Sequence, residues 1–273
     1  MINFMELLKY LLLAIIQGIS EVLPISSSGH LALFQAIFNT NAGNEALVAL
    51  LLHVGSLFAF LIFFFPVIWR LIQNLFLFLQ GKRTDAVNDD MMLIVYLIVA
   101  TIPAALAGFL IKDAIDAIFQ SLWMVGIGFY FTASLLFLLP RFAKLSYGQY
   151  TFKNTIYGGL FQILGILPGV SRSGSTLLGS LLGGLTLAKA KEFAFLLFIP
   201  ITLGSFILSF DRIESLDTTL LIYASIATVV SGLVTYLTLN VVFKHLALKH
   251  FPTFGIYLMA VGTITLILAA LAI

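Results

Sequence analysis

The sequence predicts an all-α integral membrane protein with an inverted-topology repeat, each half a re-entrant helical hairpin followed by three transmembrane helices. Three observations carry this expectation. Of the 273 residues, 61% are hydrophobic and 10% charged, where a soluble domain carries about a quarter charged residues. Apolar runs recur near the ~20 residues that cross a bilayer, without the alternation a β-barrel needs. Two stretches rich in Ser, Gly and Pro, residues 17–30 and 168–176, interrupt the apolar sequence. At membrane depth such segments are tolerated only when buried in protein or lining a wet cavity, which points to hairpins rather than full spans.

Taken in order, the N-terminal run carries Glu6 and Lys9 and lacks the small-residue cleavage pattern of a signal peptide, so it is expected to stay in place. The first polar cluster follows, and then a loop at Asn39 to Asn44. A span runs from Ala46 to Phe65, a loop from Trp69 to Asp90, and spans from about Met91 to Ile111 and Leu122 to Leu139. The second cluster lies between Tyr157 and Leu187, with spans from about Phe193 to Phe210, Leu220 to Val242 and Pro252 to Ile273. No polar stretch is long enough to form an aqueous domain, so residues 1–273 are read as one membrane domain. Repeat 1 covers about 1–145 and repeat 2 about 150–273. The formal charge of +2 does not read as nucleic-acid binding, and the absence of cysteine excludes disulfides and thiolate chemistry.

Loop charges orient the chain, because Lys and Arg accumulate on the cytoplasmic side. The loops Arg70 to Arg83, Arg141 to Lys153 and Lys244 to Lys249 are basic and go inside; Lys112 to Asp116 and Asp211 to Asp217 are more acidic and go outside. The second half then starts from the opposite face to the first. Leu23-Pro24 matches Leu167-Pro168, Ser28-Gly29 matches Ser173-Gly174, and Gly55-Ser56 matches Gly204-Ser205, with Gln17 and Gln162 in similar places. In such a repeat the two hairpin tips meet near the midplane.

In each cluster a proline is followed by hydroxyl residues and a glycine, the pattern of a loop turning into a helix with a serine cap. Two helix N-termini facing each other, with Arg172 between them, make a cradle for an anion such as phosphate. An arginine at this depth costs at least ~2.5–3.5 kcal/mol on insertion scales, so it needs an anionic partner. Ser26, Ser27, Ser28, Ser171, Ser173 and Thr176 either line that cradle or only cap and bridge helices. Glu21 needs a cation or a proton, and Gln17 lies one turn before it, so the two together offer oxygens to a hard divalent ion. The alternative is a structural ion pair between Glu21 and Arg172. His30 stands three residues after Ser27, where imidazole and hydroxyl can share a helix face as base and nucleophile. His53, inside a span, is ambiguous.

The motifs Gln17-Gly-Ile-Ser-Glu21, Pro24-Ile-Ser-Ser-Ser-Gly-His30 and Pro168-Gly-Val-Ser-Arg-Ser-Gly-Ser-Thr176 resemble the signatures of the undecaprenyl-diphosphate phosphatase family associated with bacitracin resistance. The resemblance extends through Gly55-Ser56, Ile102-Pro103-Ala104 and Glu192 to Pro200. It implies a bacterial plasma (inner) membrane enzyme that removes the terminal phosphate of undecaprenyl diphosphate and recycles the lipid carrier for cell-wall synthesis. It also implies six spans with two re-entrant hairpins, a divalent-metal requirement, and site roles for Glu21, Ser27, His30, Ser171, Arg172, Ser173 and Thr176. Position 17 departs from the pattern, since many members carry Glu where this chain has Gln17.

On this reading a polyprenyl diphosphate enters from the outer side, its tail among membrane lipid. Glu21, assisted by Gln17, holds Mg²⁺ or Ca²⁺, Arg172 and the hairpin N–H groups stabilise the phosphoryl, and Ser27 attacks with His30 as base. Direct attack by water, or a phospho-His30 intermediate, fits nearly as well. A homodimer is the assembly considered. The competing class is a lipid-phosphate transporter or flippase, which shares broken helices and inverted repeats but has no need of a nucleophile with its base.

Overall fold

The computed structural model describes residues 3–38, 45–111, 118, 121–142, 148–210 and 217–271. The expected loop at 39–44, the one around Ala114, residues 143–147 of the one at 141–153 and residues 211–216 of the one at 211–217 lie outside the described residues. Every regular element among the described residues is helical. In chain order these are α1 (Phe4–Val22), α2 (Ser27–Phe38), α3 (Glu45–Phe63), α4 (Phe65–Leu79), α5 (Asp85–Leu110) and α6 (Leu122–Phe142). They continue with α7 (Phe152–Gln162), α8 (Arg172–Leu182), α9 (Leu187–Leu208), α10 (Thr218–His245) and α11 (Phe251–Ala270), with 3₁₀ turns before α8 and α11.

Among the described residues six apolar helices are long enough to cross a membrane: α3, α5, α6, α9, α10 and α11, the last extended by its 3₁₀ turn. They present large apolar side chains outward, including Phe58, Ile62, Phe109, Leu233 and Leu237, as helices solvated by lipid must. At about 1.5 Å per residue, α2, α7 and α8 are too short to cross a core of about 30 Å. These short helices belong to the two polar clusters.

One expectation is corrected. The segment expected as a loop from Trp69 to Asp90 contains most of α4 and the first turns of α5. Pro66 opens α4, where its missing N–H costs nothing. Arg70 and Asn74 reach across to Asp90 at 3.0 and 2.6 Å and pin α4 to α5. Thr84 caps α5 by accepting from the Val87 N–H. Likewise α9 starts at Leu187, before the expected Phe193, because Thr186 caps it by accepting from the Lys189 N–H.

Close helix approach rests on small residues, since apolar burial gives no net drive between helices already in lipid. Helix α1 packs on α2 and α10, α3 on α10 and α9, α5 on α7 and α9, α6 on α11, and α7 on α8. A Cβ on Gly18 would lie 2.6 Å from Val234 of α10, and one on Gly126 would lie 2.6 Å from Leu266 of α11. Between α3 and α10, Gly55 faces the Thr228 carbonyl. At the next residue, Ser56 Oγ lies 2.8 Å from Thr235 Oγ1, and Ser231 donates to the Leu52 carbonyl at 2.9 Å. These contacts fix α3 beside α1 and α10, and thereby place His53.

Candidate active site

The first hairpin turns through Leu23 to Ser26. Ser26 takes a positive φ of 68°, a conformation costing a non-glycine residue about 1–3 kcal/mol. Three contacts hold it there: its Oγ accepts from the Gly29 N–H at 3.3 Å, and its carbonyl accepts from the His30 backbone N–H at 3.2 Å and from His30 Nδ1–H at 2.8 Å. This cap starts α2 and turns Ser27 back toward α1. In the second hairpin Gly169 supplies the left-handed turn at φ 80°, where an L side chain would also collide with the Val125 carbonyl of α6. Thr132 of α6 donates to the Gly169 carbonyl at 3.0 Å and accepts from the Ser171 N–H at 2.9 Å. Ser171 then caps α8 by accepting from the Gly174 N–H at 3.1 Å.

The two tips meet. A Cβ on Gly29 would lie 2.7 Å from the Gly169 Cα, and one on Gly174 would lie 3.4 Å from the Pro24 Cβ. Gly165 leaves room for the first turn of α8, since a Cβ there would lie 2.5 Å from the Arg172 Cα.

Glu21 is the centre of the junction, its side chain only 5% exposed. Arg172 donates to Oε1 at 2.8 Å across 151 residues of sequence. Oε2 accepts from Gln17 Nε2 at 2.8 Å and from the Ser27 hydroxyl at 2.8 Å, and it lies 3.1 Å from His53 Nε2. The guanidinium of Arg172 also sits over the Phe198 ring at 4.4 Å, so α9 forms a wall of the site. A carboxylate so enclosed stays charged only because cationic and neutral donors replace its lost hydration.

The structure therefore brings Gln17, Glu21, Ser27 and Arg172 into one contiguous set. It does not join Ser27 to His30. Ser27 bonds Glu21, while His30 Nε2 accepts from the Tyr257 hydroxyl at 2.8 Å and the two rings stack at 5.7 Å. The i to i+3 spacing misled because His30 is held back onto the Ser26 carbonyl of its own turn. Ser28 lies 3.4 Å from Ser26 Oγ, and Ser173 lies 3.2 Å from Ser171 Oγ. Both are half-buried beside the caps. The Thr176 hydroxyl is fully buried and has no hydrogen-bond partner among the described residues. His53, Phe198, Thr132 and Tyr257 are the neighbours that sequence reasoning did not assign. Only His53 carried a signal, as an imidazole inside the apolar run Leu52-His53-Val54.

Among the described residues no three His, Cys, Asp or Glu side chains cluster as a dense metal cage. The donor set still suits one divalent ion that keeps water or substrate oxygens, as Mg²⁺ commonly does. It offers the Glu21 carboxylate and, after a half-turn of the amide whose Nε2 now meets Glu21, the Gln17 Oε1, which is buried and has no partner among the described residues.

Residues 10–264 match the family described as bacitracin resistance protein BacA. Relatives include undecaprenyl-diphosphatase 2 of Bacillus thuringiensis (strain Al Hakam), 35% identical over 269 residues that cover 97% of this chain and 98% of the relative. The undecaprenyl-diphosphatase of Acholeplasma laidlawii is 35% identical over 273 residues, covering 96% and 97% of the two chains. That of the archaeon Methanosphaera stadtmanae is 34% identical over 277 residues, covering 97% and 99%. With the match running nearly end to end through both hairpins, the chain belongs to the BacA family.

Proposed function

We propose that this protein is an undecaprenyl-diphosphate phosphatase, hydrolysing the terminal phosphate of the lipid to give undecaprenyl phosphate and inorganic phosphate. The carrying observation is the Ser27 hydroxyl donating to a buried carboxylate that an arginine also holds. Nucleophile, proton acceptor and cation for the phosphoryl charge thus share one hydrogen-bonded set, and the names of the relatives supply the substrate.

Ser27 Oγ attacks the terminal phosphorus, and the bond to the bridging oxygen breaks with undecaprenyl phosphate as the leaving group. In a loose transition state the nucleophile keeps its proton until late. Glu21 Oε2 then needs only to orient the hydroxyl and accept its proton as the Oγ–P bond completes. Arg172 stabilises charge on the phosphoryl oxygens, joined by N–H groups at the start of α2 and α8. Water then cleaves the phosphoserine and regenerates the hydroxyl. His30 acts as a positioning residue, holding the strained Ser26 turn through Nδ1. A divalent ion, Mg²⁺ or Ca²⁺, held by Glu21 and the Gln17 amide oxygen would supply charge neutralisation at the phosphate.

The proposal includes an inverted repeat of about 1–145 and 150–273, with the hairpins re-entrant and the active site open to the outer face of the bacterial inner membrane. The packing supports the repeat: exchanging α1 with α7, α3 with α9 and α5 with α10 turns the α1–α10 and α3–α10 contacts into α7–α5 and α9–α5, which also form. The orientation rests on loop charge. In intact cells Gln149→Cys should resist an impermeant thiol reagent, while Thr218→Cys reacts. Labelling of Gln149→Cys before lysis would invert the topology.

The activity itself is tested with purified protein, a polyprenyl diphosphate and a divalent ion in detergent. Phosphate release without any membrane gradient is the expected result. Binding of the lipid with no released phosphate would leave the transporter or flippase class instead.

A further inference from the structure

We propose that His53 is an imidazole ligand of the divalent ion, completing with Glu21 and Gln17 a mixed nitrogen and oxygen site. This rests on the reading that an ion binds at Glu21, and it adds a ligand from a different helix. His53 Nδ1–H donates to the Ala49 carbonyl at 2.6 Å, one turn back on α3. That bond places a ring proton on Nδ1 and turns Nε2 toward Glu21, the nitrogen that carries the lone pair whenever the ring is neutral. Such an Nδ1–H bond to a backbone carbonyl is the usual means of orienting a metal-binding histidine. The ring is further backed by Phe198, at 6.5 Å between centroids.

Nε2 and Glu21 Oε2 lie 3.1 Å apart. Positive charge must lie between them, as a shared proton or as an ion. Adjacent ligands of an octahedral ion with bonds of about 2.1 Å lie about 3.0 Å apart, which the observed separation matches. A second observation favours the ion. Gln17 is completely buried, yet its Oε1 has no partner among the described residues. A half-turn of that amide would present Oε1 where Nε2 now meets Glu21 Oε2 at 2.8 Å, an arrangement stable only against a cation. His53 thus supplies the donor that Gln17, as a neutral amide, provides only weakly. An imidazole in the set shifts preference away from hard Ca²⁺ and toward Mn²⁺-like ions.

The test uses the purified full chain with one equivalent of Mn²⁺, read by pulsed electron paramagnetic resonance. The bound ion should show ¹⁴N coupling, replaced by ¹⁵N coupling when the wild-type protein carries ¹⁵N-histidine. His53→Gln should lose the coupling and bind Mn²⁺ roughly tenfold or more weakly, while His30→Asn keeps it. Mn²⁺ that binds in a Glu21-dependent way without histidine coupling, or with coupling that survives His53→Gln, overturns the assignment and leaves the ion at Glu21 standing. Mn²⁺ binding that Glu21→Gln does not weaken overturns the ion reading and the ligand with it. The isotope comparison needs no variant, so wild-type protein without histidine coupling overturns the assignment even if His53→Gln folds poorly.

Discussion

Glu21→Gln is expected to lower phosphate release by at least about 10³-fold, the largest effect of any single substitution in the site. The carboxylate serves four groups at once: it orients the Ser27 hydroxyl, holds Arg172, accepts from the Gln17 amide and meets His53. The amide keeps the shape but offers one oxygen where two were used, and it carries no charge. Arg172 loses its anionic partner at a site that is 22% exposed. Breaking a buried pair from one side typically costs 3–5 kcal/mol, so a lowered melting temperature is expected alongside the lost turnover. Stability and catalysis are separated by assaying at a temperature where the variant is fully folded. A folded Glu21→Gln protein with normal turnover would leave Glu21 a purely structural group. Gln17→Glu, by contrast, should preserve or strengthen the dependence on a divalent ion.

Arg172→Lys should insert and fold, bind the lipid diphosphate, and turn over about 10²–10³-fold more slowly. Arg172 has both roles available to it. One terminal nitrogen reaches Glu21 at 2.8 Å while the planar guanidinium lies over Phe198. A lysine can keep the charge near Glu21, but it cannot present a flat fork to phosphate and to an aromatic face together. Loss of contacts made in the transition state lowers kcat and kcat/KM equally. If the ion pair were only structural, Arg172→Lys would lower the melt and leave turnover near normal. In that case Glu21→Leu with Arg172→Leu would restore a well-folded protein, because removing both members of a buried pair is often tolerated. Turnover at saturating substrate beside a thermal melt distinguishes the two.

The two polar clusters were legible because polar residues at membrane depth have few uses, and the Ser and Gly following each proline announced a capped helix start. Ser171 caps α8 as that pattern requires, and Ser26 caps α2 at the cost of a positive φ. The apparent equivalence of the halves was less informative about contacts. Ser56 is buried against Thr235, whereas its counterpart Ser205 back-bonds to the Ile201 carbonyl on an exposed face. Gln17 bonds Glu21, whereas no partner is seen for the Gln162 amide among the described residues. Helix α4 was missed because its charged and polar residues, Arg70, Gln73 and Asn74, read as loop until Asp90 is brought beside them.

By itself the sequence determined the environment, the helical class and which polar groups interrupt the apolar runs, because hydropathy, span length and the cost of polar groups in lipid are local properties. Tertiary structure alone decided which groups act on one another. Glu21 and Arg172 are 151 residues apart and touch only because glycines at 29, 165, 169 and 174 let the two hairpin tips close. Ser27 chooses Glu21 over His30 because α1 returns beside the start of α2. His53 enters the site only because α3 is packed through Gly55 and Ser56 against α10. Distances between residues remote in sequence follow from packing, and no periodicity along a single helix encodes them.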